Sequence, residues 1–232
     1  MAKRATAAAA KSQAAKPEAG DHPRRRYSRR LPREQRAEQI LDAALRLIAR
    51  EGFAALTMDR VASEADIAKS VVYAIFSSPD RLQQALIERE QDRALALATA
   101  TLGELRQAED PMTGVARALV RFVDGVAEQP DAWRVVLLPV SGMPPTVRQA
   151  IVDGRERWRR EIEPIATRIL ERAGLKRIDP ELVAHLAHGN ADYLARLMLE
   201  DPERFPRDRI VRFAAEAAGG IAALLSAGAA GR

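Results

Sequence analysis

The 232-residue chain is read as an all-α protein. Three observations carry that reading. Apolar residues recur at three- and four-residue spacing through most of the chain, and no segment alternates as a strand does. A capping residue followed by proline opens one segment after another, as in Ser78-Pro79, Asp110-Pro111 and Asp179-Pro180. Aromatics make up only 4% of a composition that is 47% apolar, so the core rests on Leu, Val, Ile and Ala, which suits helices.

The elements follow in order. A first helix is predicted from about Pro32 to Glu51, with Ile40, Leu41, Ala44, Leu47 and Ile48 on one stripe and Gly52 as its stop. Thr57 is placed to cap a second helix ending near Ala65, and Asp59 in its first turn complements the helix dipole. Asp66 falls in the turn, where a left-handed backbone is often needed and Asp is tolerated less well than Gly. A third helix spans about Lys69–Phe76, and a fourth runs from Ser78-Pro79 to about Leu105. Beyond it, helices are predicted from Asp110-Pro111 to near Gln129-Pro130, over Ala132–Leu138, over Thr146–Ala173, from Asp179-Pro180 to Glu200, and over Arg207–Ser226. Residues 227–232 are read as a disordered tail.

Composition excludes several classes. With no cysteine there is no disulfide framework or thiolate metal site, which suits a reducing, cytoplasmic setting. The longest uncharged stretch, Ala217–Gly231, is shorter than the roughly 20 residues needed to span a bilayer, so no membrane association is expected. No secretory leader is expected either, because the N-terminus has no apolar core segment. The net charge of +5 is unevenly placed. Residues 1–33 hold ten basic residues against Glu18 and Asp21, a local +8, and the remainder is −3. Residues 1–31 carry almost no large apolar side chains and are read as a disordered basic arm. That arm is open to three readings: a solubilising tail, an organelle transit segment, or a nucleic-acid-binding arm. The last is favoured by the arginine cluster abutting the short helices.

Helices two and three have the size and spacing of a helix-turn-helix, which places its second helix in the DNA major groove. Residues 36–82 resemble the DNA-binding domain of TetR-family transcriptional regulators. The resemblance rests on Arg36, Ile40-Leu41, Ala43-Ala44, Leu47-Ile48, Gly52-Phe53, Thr57, Val61-Ala62, Ala65-Asp66-Ile67-Ala68, Tyr73, Phe76 and Leu82, which agree in order and spacing. Four positions depart from the family pattern: Asp66 for a turn glycine, Ala68 for serine, Ile75 where His or Tyr is frequent, and Pro79 for a phosphate-binding lysine.

A recognition helix needs small or hydrogen-bonding side chains facing the groove and basic or hydroxyl groups facing phosphates. Lys69 and Ser70 lie in the first turn of the third helix, Val71 could meet a thymine methyl, and Tyr73 can donate its hydroxyl to a phosphate. Val71 is equally open to a core role. Val72, Ile75 and Phe76 are core candidates, with Phe76 holding the third helix on the first. The resemblance implies that Thr57 also touches a phosphate. Residues 34–82 carry six basic and eight acidic side chains, an unfavourable balance against phosphate. Arg24, Arg25, Arg26, Arg29 and Arg30 are therefore expected to supply the missing contacts, some in the adjacent minor groove.

The resemblance further implies an N-terminal three-helix helix-turn-helix domain, residues 32–78, followed by a helical ligand-binding and dimerisation domain, residues 79–226. The last two helices would pair with their copies in a homodimer on double-stranded DNA. Val183, Leu186, Ala187, Leu194, Leu197 and Met198 form the expected apolar face on one, and Ile210, Val211, Phe213, Ala214, Ala217, Ile221 and Leu224 on the other. A pocket for a small-molecule inducer is expected among Trp133, Leu137, Met143, Trp158, Ile162, His185, His188 and Tyr193. No cofactor is expected, and two histidines three apart are too few for a metal site. A helical enzyme finds no support, because the chain has no phosphate loop, nucleophile elbow or zinc-helix motif. The competing reading is a non-specific nucleic-acid-binding or interaction protein acting mainly through its basic arm.

Overall fold

A computed structural model describes residues 31–230, and every described element is helical. The helices are α1 (Arg33–Glu51), α2 (Met58–Glu64), α3 (Lys69–Ile75), α4 (Pro79–Gln107), α5 (Pro111–Glu128), α6 (Pro130–Leu137), α7 (Pro145–Arg172), α8 (Pro180–Glu200) and α9 (Arg207–Ala230), with a 3-10 turn over Phe53–Ala55. α9 continues to Ala230, past the expected stop at Ser226, so the predicted tail narrows to residues 231–232, which lie outside the described residues. The arginines of the arm, Arg24, Arg25, Arg26, Arg29 and Arg30, also lie outside them.

Local chemistry sets the helix starts. α4 to α8 all open on proline, whose missing N–H has no partner to lose at that position. Pro32 instead sits one residue ahead of α1. Side-chain oxygens of Thr57, Ser78, Asp110 and Asp179 accept backbone N–H groups from the first turns of α2, α4, α5 and α8. Ala68, which precedes α3, has no side chain able to do this.

Two helix ends use the same turn with different residues. After α7, Gly174 N–H donates to Glu171 O and Leu175 N–H to Leu170 O, with Gly174 at φ 69°. After α2, Asp66 N–H donates to Ser63 O and Ile67 N–H to Ala62 O, with Asp66 at φ 51°. This is the Schellman arrangement, in which the left-handed residue carries no Cβ penalty only when it is glycine. The turn of the helix-turn-helix thus holds an aspartate in a glycine conformation.

Three apolar cores follow. Ile40, Leu47, Ile48, Val61 and Val72 pack α1, α2 and α3 together, and Ile75 and Phe76 close over them as expected. This core extends past residue 78, because Leu82 and Leu86 of α4 and Val135 of α6 belong to it. A second core joins α5, α6, α8 and α9 through Phe122, Val123, Val126, Leu137, Ala195, Met198 and Ile210. A third brings Leu102 of α4 against Ile162 and Ile165 of α7 and Ala184 of α8.

The face expected on α8 is corrected here. Met198 packs within the chain, and Val183, Leu194 and Leu197 are half-buried. The outward stripe is Leu182, Leu186 and Tyr193, at about 61%, 66% and 60% exposure. On α9, Ile210 and Ala214 are buried while Phe213 and Ile221 face outward. The shift is a rotation about the helix axis that a run rich in Leu and Ala does not specify.

Replacing Asp66 with Gly is predicted to stabilise the protein by up to about 1 kcal/mol, and Asp66→Val to destabilise it by about 1–2 kcal/mol. Urea unfolding midpoints of the two variants check both signs.

Candidate DNA-binding surface and ligand cavity

The groove-facing candidates come together on the outer side of α3. Lys69, Ser70 and Tyr73 are exposed, Val71 is half-buried, and Thr57 is exposed at the start of α2. Thr57 Oγ1 accepts the Arg60 N–H at 3.3 Å, so its cap role is in place. Lys69 Nζ lies 2.7 Å from Asp59 Oδ1 and 5.8 Å from the centre of the Tyr73 ring. Hydrogen bonding to Asp59 raises the Lys69 pKa, keeping the amine charged but locally neutralised.

Three other cations of this module, Arg46, Arg50 and Arg60, are also engaged. Arg46 and Arg50 both bind Glu64, at 3.0 and 2.9 Å, and Arg50 and Arg60 share Glu51. Arg50 and then Arg46 hold the Glu64 carboxyl below its ordinary range, and Arg60 and then Arg50 do the same for Glu51. These bridges tie α1 to α2 across their exposed edges. Arg81, a residue that reading the motif missed, donates to Gln84 Oε1 at 3.3 Å and lies beside Ile75, Phe76 and Ser77 at the end of α3. Its signal was its place two residues after Pro79, where the family pattern has lost its lysine.

A cavity of about 1530 Å³ lies among α4 to α9. That exceeds the roughly 300–1,000 Å³ of common small-ligand pockets. Apolar side chains such as Leu97, Leu102, Leu119, Phe122 and Ile165 dominate its wall. Of the expected pocket residues, Trp133, Trp158, Ile162, His188 and Tyr193 line it. Three expectations are corrected. Leu137 is buried in the second core, Met143 packs against the first, and His185 is exposed on α8. A helix of eight residues such as α6 shows apolar side chains on several faces, and only the tertiary arrangement decides which face meets the cavity.

One polar cluster interrupts this wall. Arg155 of α7 donates to Val136 O at 3.3 Å and lies 3.2 Å from Asp192 Oδ2 of α8. His188 Nε2 is 3.6 Å from the same carboxylate. Burial pushes the His188 imidazole below its ordinary value. Asp192 pulls it up, but Arg155, Arg159 and His185 push it further down, and the net direction is down. Arg155 and Arg159 were not anticipated, although their spacing with Trp158 and Ile162 puts both on the stripe of α7 that faces the body.

The cavity and the first core share α6. Trp133 and Val136 face the cavity, and Trp133 meets Phe122 edge-on with ring centres 5.2 Å apart. Ala132 and Val135 also pack on the first core, as do Val140 and Met143 from the segment after α6. Phe53 N–H donates to Ser141 O at 3.0 Å. Gly52 permits this approach, since it sits at φ 88° and a Cβ there would lie 2.7 Å from Ser141 O. A second link joins α4 to α1: Arg89, 10% exposed, reaches Glu38 at 2.9 Å, Asp42 at 2.8 Å and Glu90 at 2.7 Å.

Known proteins agree with this architecture. The family described as bacterial regulatory proteins, tetR family, matches residues 40–86. The transcriptional activator FasR of Mycolicibacterium smegmatis is 31% identical over 111 residues, 48% of this chain and 49% of FasR. The chain thus spans about half the length of that relative. A TetR-like regulator from Rhodococcus sp. RHA1 is 27% identical, with a TM-score of 0.61 over 83% of this chain and 99% of that one. FadR from Bacillus subtilis, solved in complex with stearoyl-CoA, shares the fold at 16% identity, with a TM-score of 0.60 over 78% of this chain and 96% of that one. The fold and the α2–α3 module define a helix-turn-helix DNA-binding unit joined to a helical body. More particularly, residues 40–86 match the DNA-binding domain of the TetR family of bacterial transcriptional regulators, and the described residues share the fold of TetR-like regulators.

His188 gives the protein a signed pH response. An unfolded histidine takes up its proton near pH 6.5, and the folded one only at lower pH, so the unfolded state binds more protons between the two values. Stability therefore falls as pH is lowered through about 6.5. Thermal unfolding at pH 7.5 and 5.5 is expected to show a larger loss for the wild type than for His188→Gln; equal losses contradict the assignment.

Proposed function

We propose that the protein is a ligand-responsive DNA-binding regulator. Two copies of α3 enter successive major grooves of a palindromic operator, and a small molecule filling the cavity drives release. The observation that carries this reading is the double membership of α6, whose residues pack in the core of the DNA-binding module and line the cavity. A ligand that displaces Trp133 or the Arg155–Val136 contact shifts α6, and with it the segment hydrogen-bonded to Phe53. Such a ligand moves the population toward a form in which the two α3 helices no longer match the operator.

The homodimer is supported by Leu182 and Leu186 of α8, exposed apolar side chains outside the cavity lining that a second copy would cover. Two-fold pairing matches half-sites separated by one or more helical turns. Ligand class follows from the wall: a large apolar cavity suits a long acyl chain, and the stearoyl-CoA bound to the FadR of Bacillus subtilis supports that choice.

Release on ligand binding makes such a protein a repressor where the operator overlaps a promoter. The name of FasR, an activator, favours a second reading in which the same operator binding raises transcription from an upstream site. Selection of genome fragments by the purified protein, followed by reporter assays on the enriched operator, separates the two. Preference for that operator over random DNA at physiological salt is the expected result, and equal binding would instead support an arm-driven, non-specific binder.

Two variants test the electrostatics of operator binding. Asp59→Asn frees Lys69 for phosphate and should tighten binding several-fold, on the order of 1 kcal/mol, whereas Lys69→Gln should weaken it and lower the salt slope by about one. Deleting residues 1–31 should lower both affinity and salt slope; no change in either removes the arm from the account. Fluorescence anisotropy across a salt series reads all three.

A further inference from the structure

The cavity wall is mainly apolar, and where α7 and α8 face each other buried hydrogen-bonding atoms are left over. Arg155 Nε, Arg159 Nε and His188 Nε2 are all buried and have no hydrogen-bond partner. Buried donors without partners are uncommon and costly, and each calls for an explanation. One other nitrogen of each guanidinium, Nη2, is already used. Arg155 reaches Val136 O and Asp192, while Arg159 holds Glu156. Asp192 is the carboxylate nearest to His188, but at 3.6 Å it is too far to accept a hydrogen bond.

The charges point the same way. His188 stands among Arg155, Arg159 and Asp192, and Glu156 divides its two oxygens between Arg159 and Arg160, so three guanidinium groups meet two carboxylates here. Arginine presents its N–H groups in a planar fork suited to carboxylate and phosphate oxygens. Arg155 also fixes the carbonyl of Val136 at the end of α6, so a group bound to Arg155 acts directly on the helix shared with the DNA-binding module.

We propose that Arg155 and His188, which line the cavity, form with the neighbouring Arg159 an anion subsite that holds the carboxylate or phosphate end of an otherwise apolar ligand, with the chain extending past Trp158 and Trp133 into the cavity. This inference rests on the reading of the cavity as an acyl site. The anion draws Arg155 away from Val136 O and so frees α6. A neutral ligand of equal chain length fills the same apolar space without acting on that contact.

The two tryptophans of the chain, Trp133 and Trp158, both line the cavity, so intrinsic fluorescence reports its occupation. Titration of the full chain with palmitate, palmitoyl-CoA and hexadecanol compares two anionic head groups with a neutral one at equal chain length. At least one anionic probe is expected to bind about ten- to a hundredfold more tightly than hexadecanol. Palmitate alone identifies a carboxylate, and palmitoyl-CoA alone identifies the phosphates. In Arg159→Gln the preference should collapse toward parity, while Arg155→Lys, which keeps the charge but not the fork, should lose part of it. Equal binding of hexadecanol and both anions by the wild type overturns the subsite and leaves the acyl cavity standing, as does a preference that survives in both variants. If none of the three probes binds, the acyl reading falls and the subsite with it. The wild-type comparison decides the question even if a variant does not fold.

Discussion

The architecture depends on one short helix packing in two cores at once. Ala132 and Val135 of α6 seal the base of the DNA-binding module, while Trp133, Val136 and Leu137 belong to the cavity wall or the second core. Close-packed interiors do not deform continuously, so α6 cannot move in one core without repacking the other. The hydrogen bond from Phe53 to Ser141 O extends the constraint beyond side-chain packing, and it exists because Gly52 leaves room for the approach. The Arg89 cluster adds a second tie, from α4 to α1, which fixes where the module sits on the long helix that also borders the cavity.

Charge in the DNA-binding module serves shape before it serves DNA. Arg46, Arg50 and Arg60 spend their guanidinium groups on Glu51 and Glu64, and Lys69 faces Asp59. Exposed pairs of this kind contribute little stability each. Their consequence is that four cations of α1 to α3 are already paired with carboxylates. Affinity for phosphate must then come from exchange of partners at Lys69, from Arg81, or from the basic arm that precedes Leu31. The motif and the electrostatics thus separate: α3 presents the exposed second helix of the helix-turn-helix, while Arg46, Arg50, Arg60 and Lys69 around it are engaged with carboxylates.

Much of this was legible in the sequence because it is local. Thr57, Ser78, Asp110 and Asp179 act through atoms within three residues, and Pro79, Pro111 and Pro180 mark helix starts without reference to tertiary structure, whereas the starts at Pro130 and Pro145 come ahead of the expected Ala132 and Thr146. The left-handed turn at Asp66 and the core roles of Val72 and Phe76 were legible for the same reason. The cavity was not. Trp133 and Leu137 lie on the same short helix, yet one lines the cavity and the other is sealed in the core. His185 and His188 are three residues apart, yet one is exposed and the other enclosed. These differences depend on how α6, α7 and α8 are rotated against one another, which helical spacing alone does not fix. Arg155 and Arg159 were overlooked because arginine in a charged run reads as solvated surface, although both fall on the inward stripe of α7.

The central claim is that occupation of the cavity changes the placement of the recognition helices through α6. The chain has no cysteine, so Ser63→Cys offers a single labelling site on the exposed face of α2, away from the groove-facing residues of α3. Pulsed electron–electron spin resonance between the two labels of a dimer, with and without a saturating acyl ligand whose binding is confirmed on the same sample, measures the separation directly. The account predicts that the distance distribution shifts when ligand is bound, and that operator DNA holds it at the ligand-free value. An unchanged distribution in the ligand-saturated protein would contradict it.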